Sequence, residues 1–361
     1  MNTNSECKYN DLFVFLSNEL SWHLSRIKFF GLMICALCIA KTVNFQKLAE
    51  CLDSEAKIDS NMRRIQRFFA EFEIDFNLIS RLIFKLLPEK PPFKLSMDRT
   101  NWKFGVVHIN ILMLSVVYKG VAFPLIWTLL PKAGNSDTQE RIDLINRYIH
   151  LFGKENITHL LADREFVGDG WFAYLIREKI QFYIRVRENF DVQIPGKGKV
   201  KAFWLFNSLP LNMGLNYPKI VYLKDNLVYL SGMKTVGKGG KLEFVIIASF
   251  SFSYDALPKY KERWQIETLF KALKTSGFNI EDTHLKDLDR INRMLVLVSI
   301  TFVWSYLTGI FRHEKLEQII IKKHGRKAHS FFAFGLALIT KALCNSNIVL
   351  FIMCLKLLSC T

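Results

Sequence analysis

Four residues of "YKERWQIETLFKALKTSGFN" (260–279) bring four different functional groups at regular spacing. They are the phenol of Tyr260, the guanidinium of Arg263, the carboxylate of Glu267 and the amine of Lys274. In a helix turning about 100° per residue, all four fall within a stripe roughly 60° wide. Leu269, Leu273 and Ile266 fall away from it, and Phe270 at its border. The ordinary alternative for Glu267 is an i, i+4 contact with Arg263 and Lys271, worth a few tenths of a kcal/mol.

Two more acids enter through their places in the chain. Asp98 closes the strand-like run "FKLSMD", and Asp163 closes "ITHLLAD". In open α/β sheets, sites form beyond the carboxyl ends of the strands. If the two strands are neighbours, their aspartates meet, and Glu267 from a later helix completes a three-carboxylate cluster. Such a cluster repels itself too strongly to stay ionised without cations. Its oxygen donors suit magnesium or manganese. Two such ions roughly 3.5–4 Å apart can activate a water or a 3′-hydroxyl and stabilise the leaving oxygen in phosphodiester chemistry. Taken singly, Asp98 reads as a surface strand end and Asp163 as a partner of Arg164. The joint order of strand aspartate, strand aspartate and helix glutamate is what points to chemistry.

The elements that must position these groups follow from periodicity. Residues 1 to about 90 read as helical. "TVNFQKLAECL" (42–52) and "SNMRRIQRFFAEF" (60–72) have the rhythm of a helix-turn-helix, with Ser60 or Asn61 as the cap of the second helix. Arg63, Arg64 and Arg67 crowd its start, where a recognition helix meets DNA; a solvated basic face is the open alternative. The prolines of "LPEKPPF" (87–93) mark a linker. From 93 the order is β-β-β-α-β-α-β, with a hairpin turn at Lys119-Gly120 and a helix over 135–153 capped by Asn or Ser. This predicts a mixed sheet flanked by helices. Residues 190–255 alternate short β-type runs with glycine-rich turns and read as an inserted antiparallel β-subdomain. The lysines at its hairpin tips, "PGKGKVK" and "KTVGKGGK", either touch a phosphate backbone or keep the turns soluble.

Half of the 361 residues are hydrophobic and 14% are aromatic, which suits a folded chain of two or three domains. Lys and Arg number 49 against 33 Asp and Glu, a formal net charge of +16. That excess points to a polyanionic partner, nucleic acid ahead of an anionic membrane surface. A basic protein with no such partner is the alternative. Seven scattered cysteines show no zinc spacing and read as free thiols of a reducing cytosol. The start of the chain shows no signal peptide. "MLVLVSITFVWSYLTGIF" (294–311) is 18 uncharged residues, at the lower limit for a membrane span. Its Ser and Thr content and its charged surroundings favour a buried helix. The reading is therefore a cytoplasmic protein with no membrane partner.

The sequence resembles the DDE transposases of the insertion-sequence-four family. "SMDRTNWKFG" (96–105) is similar to that family's first-aspartate block, and "LLADREFVGDGW" (160–171) to its second. Tyr260, Arg263, Glu267 and Lys274 match its Tyr-Arg-Glu-Lys signature without a departure in spacing, and "GNSDTQER" (134–141) is similar to a further block. The resemblance covers about 94–285 firmly and the N-terminal helices loosely. It implies a ribonuclease-H-like catalytic fold with Asp98, Asp163 and Glu267 as catalytic metal ligands for two magnesium or manganese ions. It implies cut-and-paste transposition of an insertion sequence. Water nicks the element end, the freed 3′-hydroxyl attacks the opposite strand to give a hairpin, and the reopened end joins target DNA. The partners implied are double-stranded terminal repeats and target DNA, held by a homodimer. Arg263 and Lys274 would then hold phosphates, Tyr260 would donate its hydroxyl to one, and Trp264 would stack on a displaced base or pack at the helix edge. Glu165 would support Arg164 or Arg99. The domains expected are an N-terminal helical DNA-binding domain (1–90), a catalytic domain with its insertion (91–310) and a C-terminal helical segment (311–361). A decayed or domesticated copy that holds DNA without cutting it, or a nuclease without strand transfer, would carry the same fold.

Overall fold

A computed structural model describes residues 3–323, 325 and 327–358, without the side chains of residues 3–7 and Lys238. The Cys7 side chain, Cys360 and part of the basic stretch 322–329 lie outside this description. The remaining five cysteines are free thiols, three of them buried.

The helices before residue 90 are α1 (Thr3–Glu19), α2 (Leu24–Ala40), α3 (Phe45–Glu50), α4 (Ile58–Glu71) and α5 (Phe76–Lys85). The middle of the chain gives β1 (Phe93–Phe104), β2 (Val107–Tyr118), β3 (Val121–Leu129), α6 (Thr138–Phe152), β4 (Ile157–Ala162), α7 (Asp169–Arg177) and β5 (Phe182–Val186). The insertion adds β6 (Asp191–Ile194), β7 (Gly198–Lys201), β8 (Gly214–Asn216), β9 (Val221–Leu223), β10 (Asn226–Val236) and β11 (Leu242–Ser249). The chain continues through α8 (Ala256–Lys261), a 3₁₀ turn Glu262–Trp264, α9 (Gln265–Lys274), α10 (Leu288–Phe311), α11 (Phe331–Cys344) and α12 (Ile348–Leu355).

These elements form two compact units. The first holds residues 1–89, 102–109 and 270–361; the second holds 90–101 and 110–269. In the first, α2 and α10 are apolar on nearly every face, as core helices are. By length and composition α10 and the turn after it could cross a membrane, yet 89% of that apolar window is buried inside the chain. Gly309 and Gly335 let α10 and α11 touch backbone to backbone. A Cβ on Gly309 would lie 1.8 Å from the Phe331 carbonyl oxygen, and one on Gly335 would lie 1.9 Å from that of Ser305.

The helix expected at 60–72 starts earlier, at Ile58, after Lys57, which makes no side-chain cap. Ser60 and Asn61 therefore lie inside it, and Arg63, Arg64 and Arg67 sit in its body and not at its start. Asn61 donates to the Ala56 carbonyl at 3.3 Å instead of capping.

The second unit is built on one mixed sheet, in the order β3-β2-β1-β4-β5-β11-β10-β9-β6-β7, with β8 beside β10. β1, β4 and β5 run parallel, and helices flank the sheet, consistent with the ribonuclease-H-like arrangement expected. The Lys119-Gly120 hairpin forms with both residues at positive φ, 43° and 93°, as a primed turn requires. The insertion is not a separate sheet. β11 pairs antiparallel with β5, so the inserted strands extend the central one. The α6 cap is Asp137 rather than Asn135 or Ser136. It accepts from the Glu140 amide while the Glu140 side chain accepts from the Asp137 amide, a reciprocal capping box.

Candidate active site

Asp98 and Asp163 meet because β1 and β4 are parallel neighbours in register. Met97 pairs with Ala162, so the next residue on each strand is the aspartate. Asp98 does not end its strand, as the sequence suggested. β1 runs on to Phe104, because it continues into a hairpin through the turn at Gly105 (φ 60°). Asp98 lies instead where the parallel partner stops. Asp163 follows directly on Ala162, the last residue of β4, and Arg164–Phe166 form a 3₁₀ turn behind it.

The expected single helix over 260–279 is α8, a 3₁₀ turn and α9, ending at Lys274. Its start is clamped to the sheet. Glu262 accepts from the Lys94 ammonium at 2.8 Å, and Gln265 accepts from the Gly120 amide at 3.0 Å. Tyr260 packs on the buried cluster Val117, Leu161, Tyr183, Ile247 and Ala256, which aims its hydroxyl at the strand ends. That hydroxyl donates to Asp163 Oδ1 at 3.1 Å. Burial first, then the charge on Asp163, raise the phenol's pKa, so Tyr260 keeps its proton and stays a donor.

Arg263 joins the other two acids. Its Nη1 donates to Asp98 Oδ2 at 3.0 Å and its Nη2 to Glu267 Oε1 at 2.5 Å. Burial works against its charge, but the carboxylates of Asp98, Glu267 and Asp163 outweigh that and hold it protonated. Asp98 is pushed up to about 7, chiefly by burial, with Glu165 and Asp163 adding to the rise; Arg263 and the Arg99 amide oppose it.

The expected three-carboxylate cluster is therefore not drawn tight. Among the described residues, no three His, Cys, Asp or Glu side chains stand close enough to hold a metal ion together. The reason is the repulsion that made a cation necessary in the first place. Here the guanidinium of Arg263 supplies the positive charge between Asp98 and Glu267. The donors themselves are all carboxylate oxygens, the set a hard divalent ion takes, so the residues present fit such an ion.

A second layer, which the sequence reading saw only in part, fixes the two aspartate-bearing segments to each other. Arg99 grips Glu165 with two nitrogens, at 3.2 and 3.3 Å, and reaches Asn110 Oδ1 and Asn135 Oδ1, each at 3.0 Å. Glu165 thus serves Arg99 and not Arg164. Buried Asn110 passes the connection on, donating to the carbonyls of Lys132 and Gly134 at 3.1 and 3.0 Å. Arg141 bonds Ser136 Oγ at 2.9 Å and the Glu165 carbonyl at 3.2 Å. The "GNSDTQER" block is therefore a brace for the Asp98 and Asp163 segments. Its signal in the sequence was an arginine inside an amphipathic helix and a serine just before that helix's cap.

The remaining candidates lie elsewhere. Trp264 is 64% exposed, so it is not a core aromatic at the helix edge. Lys274 belongs to the first unit, where it pairs with Glu281 at 2.8 Å and lies over the Trp102 ring. Arg63 and Arg67 line a cleft of that unit, whereas Arg64 lies over the Phe29 ring at 4.7 Å.

Comparison with known proteins gives three results. A search of the curated proteins returned no match. Among solved structures, the chain resembles a piggyBac transposase from a synaptic complex with hairpin DNA at 14% identity and a TM-score of 0.45, over 90% of this chain and 73% of that one. The family model for the transposase DDE domain matches residues 92–304, more than half of the chain and a range that includes Asp98, Asp163 and Glu267. The chain belongs to the transposase DDE-domain family.

Proposed function

We propose that this chain is an active cut-and-paste transposase of the insertion-sequence-four branch, and that Asp98, Asp163 and Glu267 are its catalytic carboxylates. The observation that carries the reading is that, where β4 stops beside β1, Tyr260 bonds Asp163 and Arg263 bonds both Asp98 and Glu267. Asp98, Asp163 and Glu267 would hold magnesium or manganese, two ions per site. When bound, such ions activate the attacking oxygen and stabilise the leaving one. Arg263 holds Asp98 and Glu267 in place and offers its guanidinium to a phosphate when an ion takes over the carboxylates. Tyr260 orients Asp163 through its hydroxyl. Exposed Trp264 is available to stack on a base displaced at a hairpin turn. Arg63, Arg64 and Arg67 belong to DNA contact, Lys274 to end handling. The substrates are the double-stranded terminal repeats and target DNA, the working form is a homodimer, and the site of action is the bacterial cytosol.

The test is cleavage of linear DNA carrying the inverted repeats that flank the coding sequence, with magnesium present. Nicks at the element ends, hairpin-ended intermediates and joined target molecules are expected. Retained end binding without any nicking would make the chain a DNA-holding relic. Nicking without joined products would make it a nuclease.

A further inference from the structure

The first unit contains a cleft of about 860 Å³ with basic walls from two distant parts of the chain. One wall is α4, which presents Arg63 and Arg67, one helical turn apart. The other is the segment between α9 and α10 together with the first turn of α10; the segment presents Thr283 and His284, and α10 presents Arg290. Phe45 contributes an apolar floor and is itself stacked on Phe69 at 5.4 Å. All four basic side chains are exposed. Among the described residues, Arg63, Arg67 and Arg290 have no hydrogen-bond or ion-pair partner for their side chains.

The walls are held together by the protein and not by a ligand. Arg293 of α10 donates to the carbonyls of Phe69 and Ala70 in the last turn of α4, at 2.8 and 3.3 Å. A cation there satisfies carbonyls that the helix end leaves open. The segment before α10 is pinned by the Val43 amide on the Phe278 carbonyl, and the His284 ring meets the Phe104 ring edge at 5.1 Å. The guanidinium groups of Arg63, Arg67 and Arg290 thus converge on a fixed space with no acid to neutralise them.

The cleft does not stand alone. Arg67 also lines an adjoining cleft of about 280 Å³ with Ser25, Arg26, Phe29, Arg64 and Glu71. Arg26 and Arg64 there lie over the rings of Phe72 and Phe29. Burial, then the neighbouring Arg67, lower the pKa of Arg64, a sign of crowded positive charge. The two clefts make one track: Arg26, Arg64, Arg67, Arg63 and Arg290. A single phosphate would need two or three of these groups. Five arginines around two clefts that share Arg67, against the single acid Glu71 in their lining, suit several phosphates of a nucleic-acid backbone.

We propose that this track is a DNA-backbone binding site, built jointly by α4 and the segment that follows the catalytic helix. The inference rests on the reading of the chain as a DNA-acting transposase and adds to it a second wall, Arg290 with His284. The contacts are to phosphates, so the site holds DNA without reading its sequence.

The test uses the full chain and a fluorescent 30-base-pair duplex of unrelated sequence, with a single strand of equal length as a second arm. Binding is followed by anisotropy across a salt series. Alanine at Arg63, Arg67 and Arg290 together should weaken duplex binding on the order of tenfold or more and lower the salt slope by about three, about one per lost phosphate contact. Lysine at the same three positions should keep the slope, and thermal melting should show all variants folded, since the residues are exposed. A larger loss for the single strand than for the duplex would assign the track to a displaced strand. Unchanged affinity and slope in the alanine variant, while the wild type binds and nicks DNA, would overturn this site alone. A wild type that binds no DNA would overturn both the site and the function it rests on.

Discussion

Arg263 and Asp98 form a nearly buried ion pair, Nη1 to Oδ2 at 3.0 Å, with side chains 8% and 14% exposed. The same guanidinium holds Glu267, so one cation bridges a strand acid and a helix acid. Removing it would leave Asp98 buried without its counter-charge. Breaking one partner of a buried pair costs about 3–5 kcal/mol while the acid stays ionised, and proton uptake by Asp98 relieves part of that cost below about pH 7. Arg263→Gln should therefore lower the thermal midpoint clearly, and magnesium or manganese should restore more stability to this variant than to wild type. Differential scanning fluorimetry with and without the ions checks both. Equal response to the ions in both proteins would show that Arg263 does not occupy the place of a metal.

Asp98 gives a pH dependence with a definite sign. Its folded pKa, about 7, lies above the ordinary carboxylate value of 3.8. Between those two pH values the folded chain holds a proton that the unfolded chain has released. The stabilisation from this proton is complete below the unfolded value and is lost as pH rises through about 7. Asp98→Asn removes that loss. Its thermal midpoint relative to wild type should rise from pH 5 to about pH 7 and level off above that, while cleavage disappears. A constant difference across that range would mean that burial does not shift Asp98.

The legible part of this protein was the part written in local spacing. Hydrophobic period two and the Lys119-Gly120 turn gave the β-strands, and apolar runs closed by acids marked Asp98 and Asp163, although β1 runs on past Asp98 to Phe104. What spacing could not show was pairing between segments far apart in the chain. β11 lies beside β5, so the insertion lengthens the main sheet, and nothing in residues 242–249 announces that partner. The helices before residue 90 share a unit with those after 270 for the same reason: α2 and α10 are apolar all round and would fit many neighbours. Within the site, the stripe of Tyr260, Arg263 and Glu267 was readable, but its partners were not. A helix wheel shows which groups share a face; it does not show that Arg263 turns inward to Asp98 and Glu267 while Trp264, the next residue, stays exposed.

Glu165 should act on rate through Arg99 and not through binding. Its carboxylate holds Arg99, whose backbone amide donates to Asp98 Oδ1 at 2.7 Å. Glu165→Gln keeps the shape and removes the charge. Loss of an outer-layer partner of a metal site typically costs about 10–100-fold in affinity or activity. Single-turnover cleavage at saturating protein should slow by that order, with DNA affinity unchanged and the dependence on manganese concentration shifted upward. A parallel loss of DNA affinity would place Glu165 in contact with substrate instead.

The three carboxylates make the simplest prediction. Asp98→Ala, Asp163→Ala and Glu267→Ala should each abolish nicking to background while leaving end binding intact in a gel-shift assay. Any one that still nicks at a measurable rate removes that residue from the catalytic set.

Lys274 tests whether the last member of the stripe is functional or merely structural. Its pair with Glu281 is 2.8 Å long, but the two side chains are 20% and 43% exposed, and partly exposed pairs contribute only about 0–1 kcal/mol. Its contact over the Trp102 ring, at 5.6 Å, adds an amount of similar size at such a site. The apolar side of α9, with Leu269 and Leu273 buried, is untouched by the substitution. Lys274→Ala should therefore keep its thermal midpoint within a few degrees of wild type. If the amine handles element ends, the variant should also cut at displaced positions or join fewer ends. Mapping the cleavage products at nucleotide resolution beside a melting curve separates the two roles. Normal cut positions with a large drop in stability would make Lys274 a structural residue.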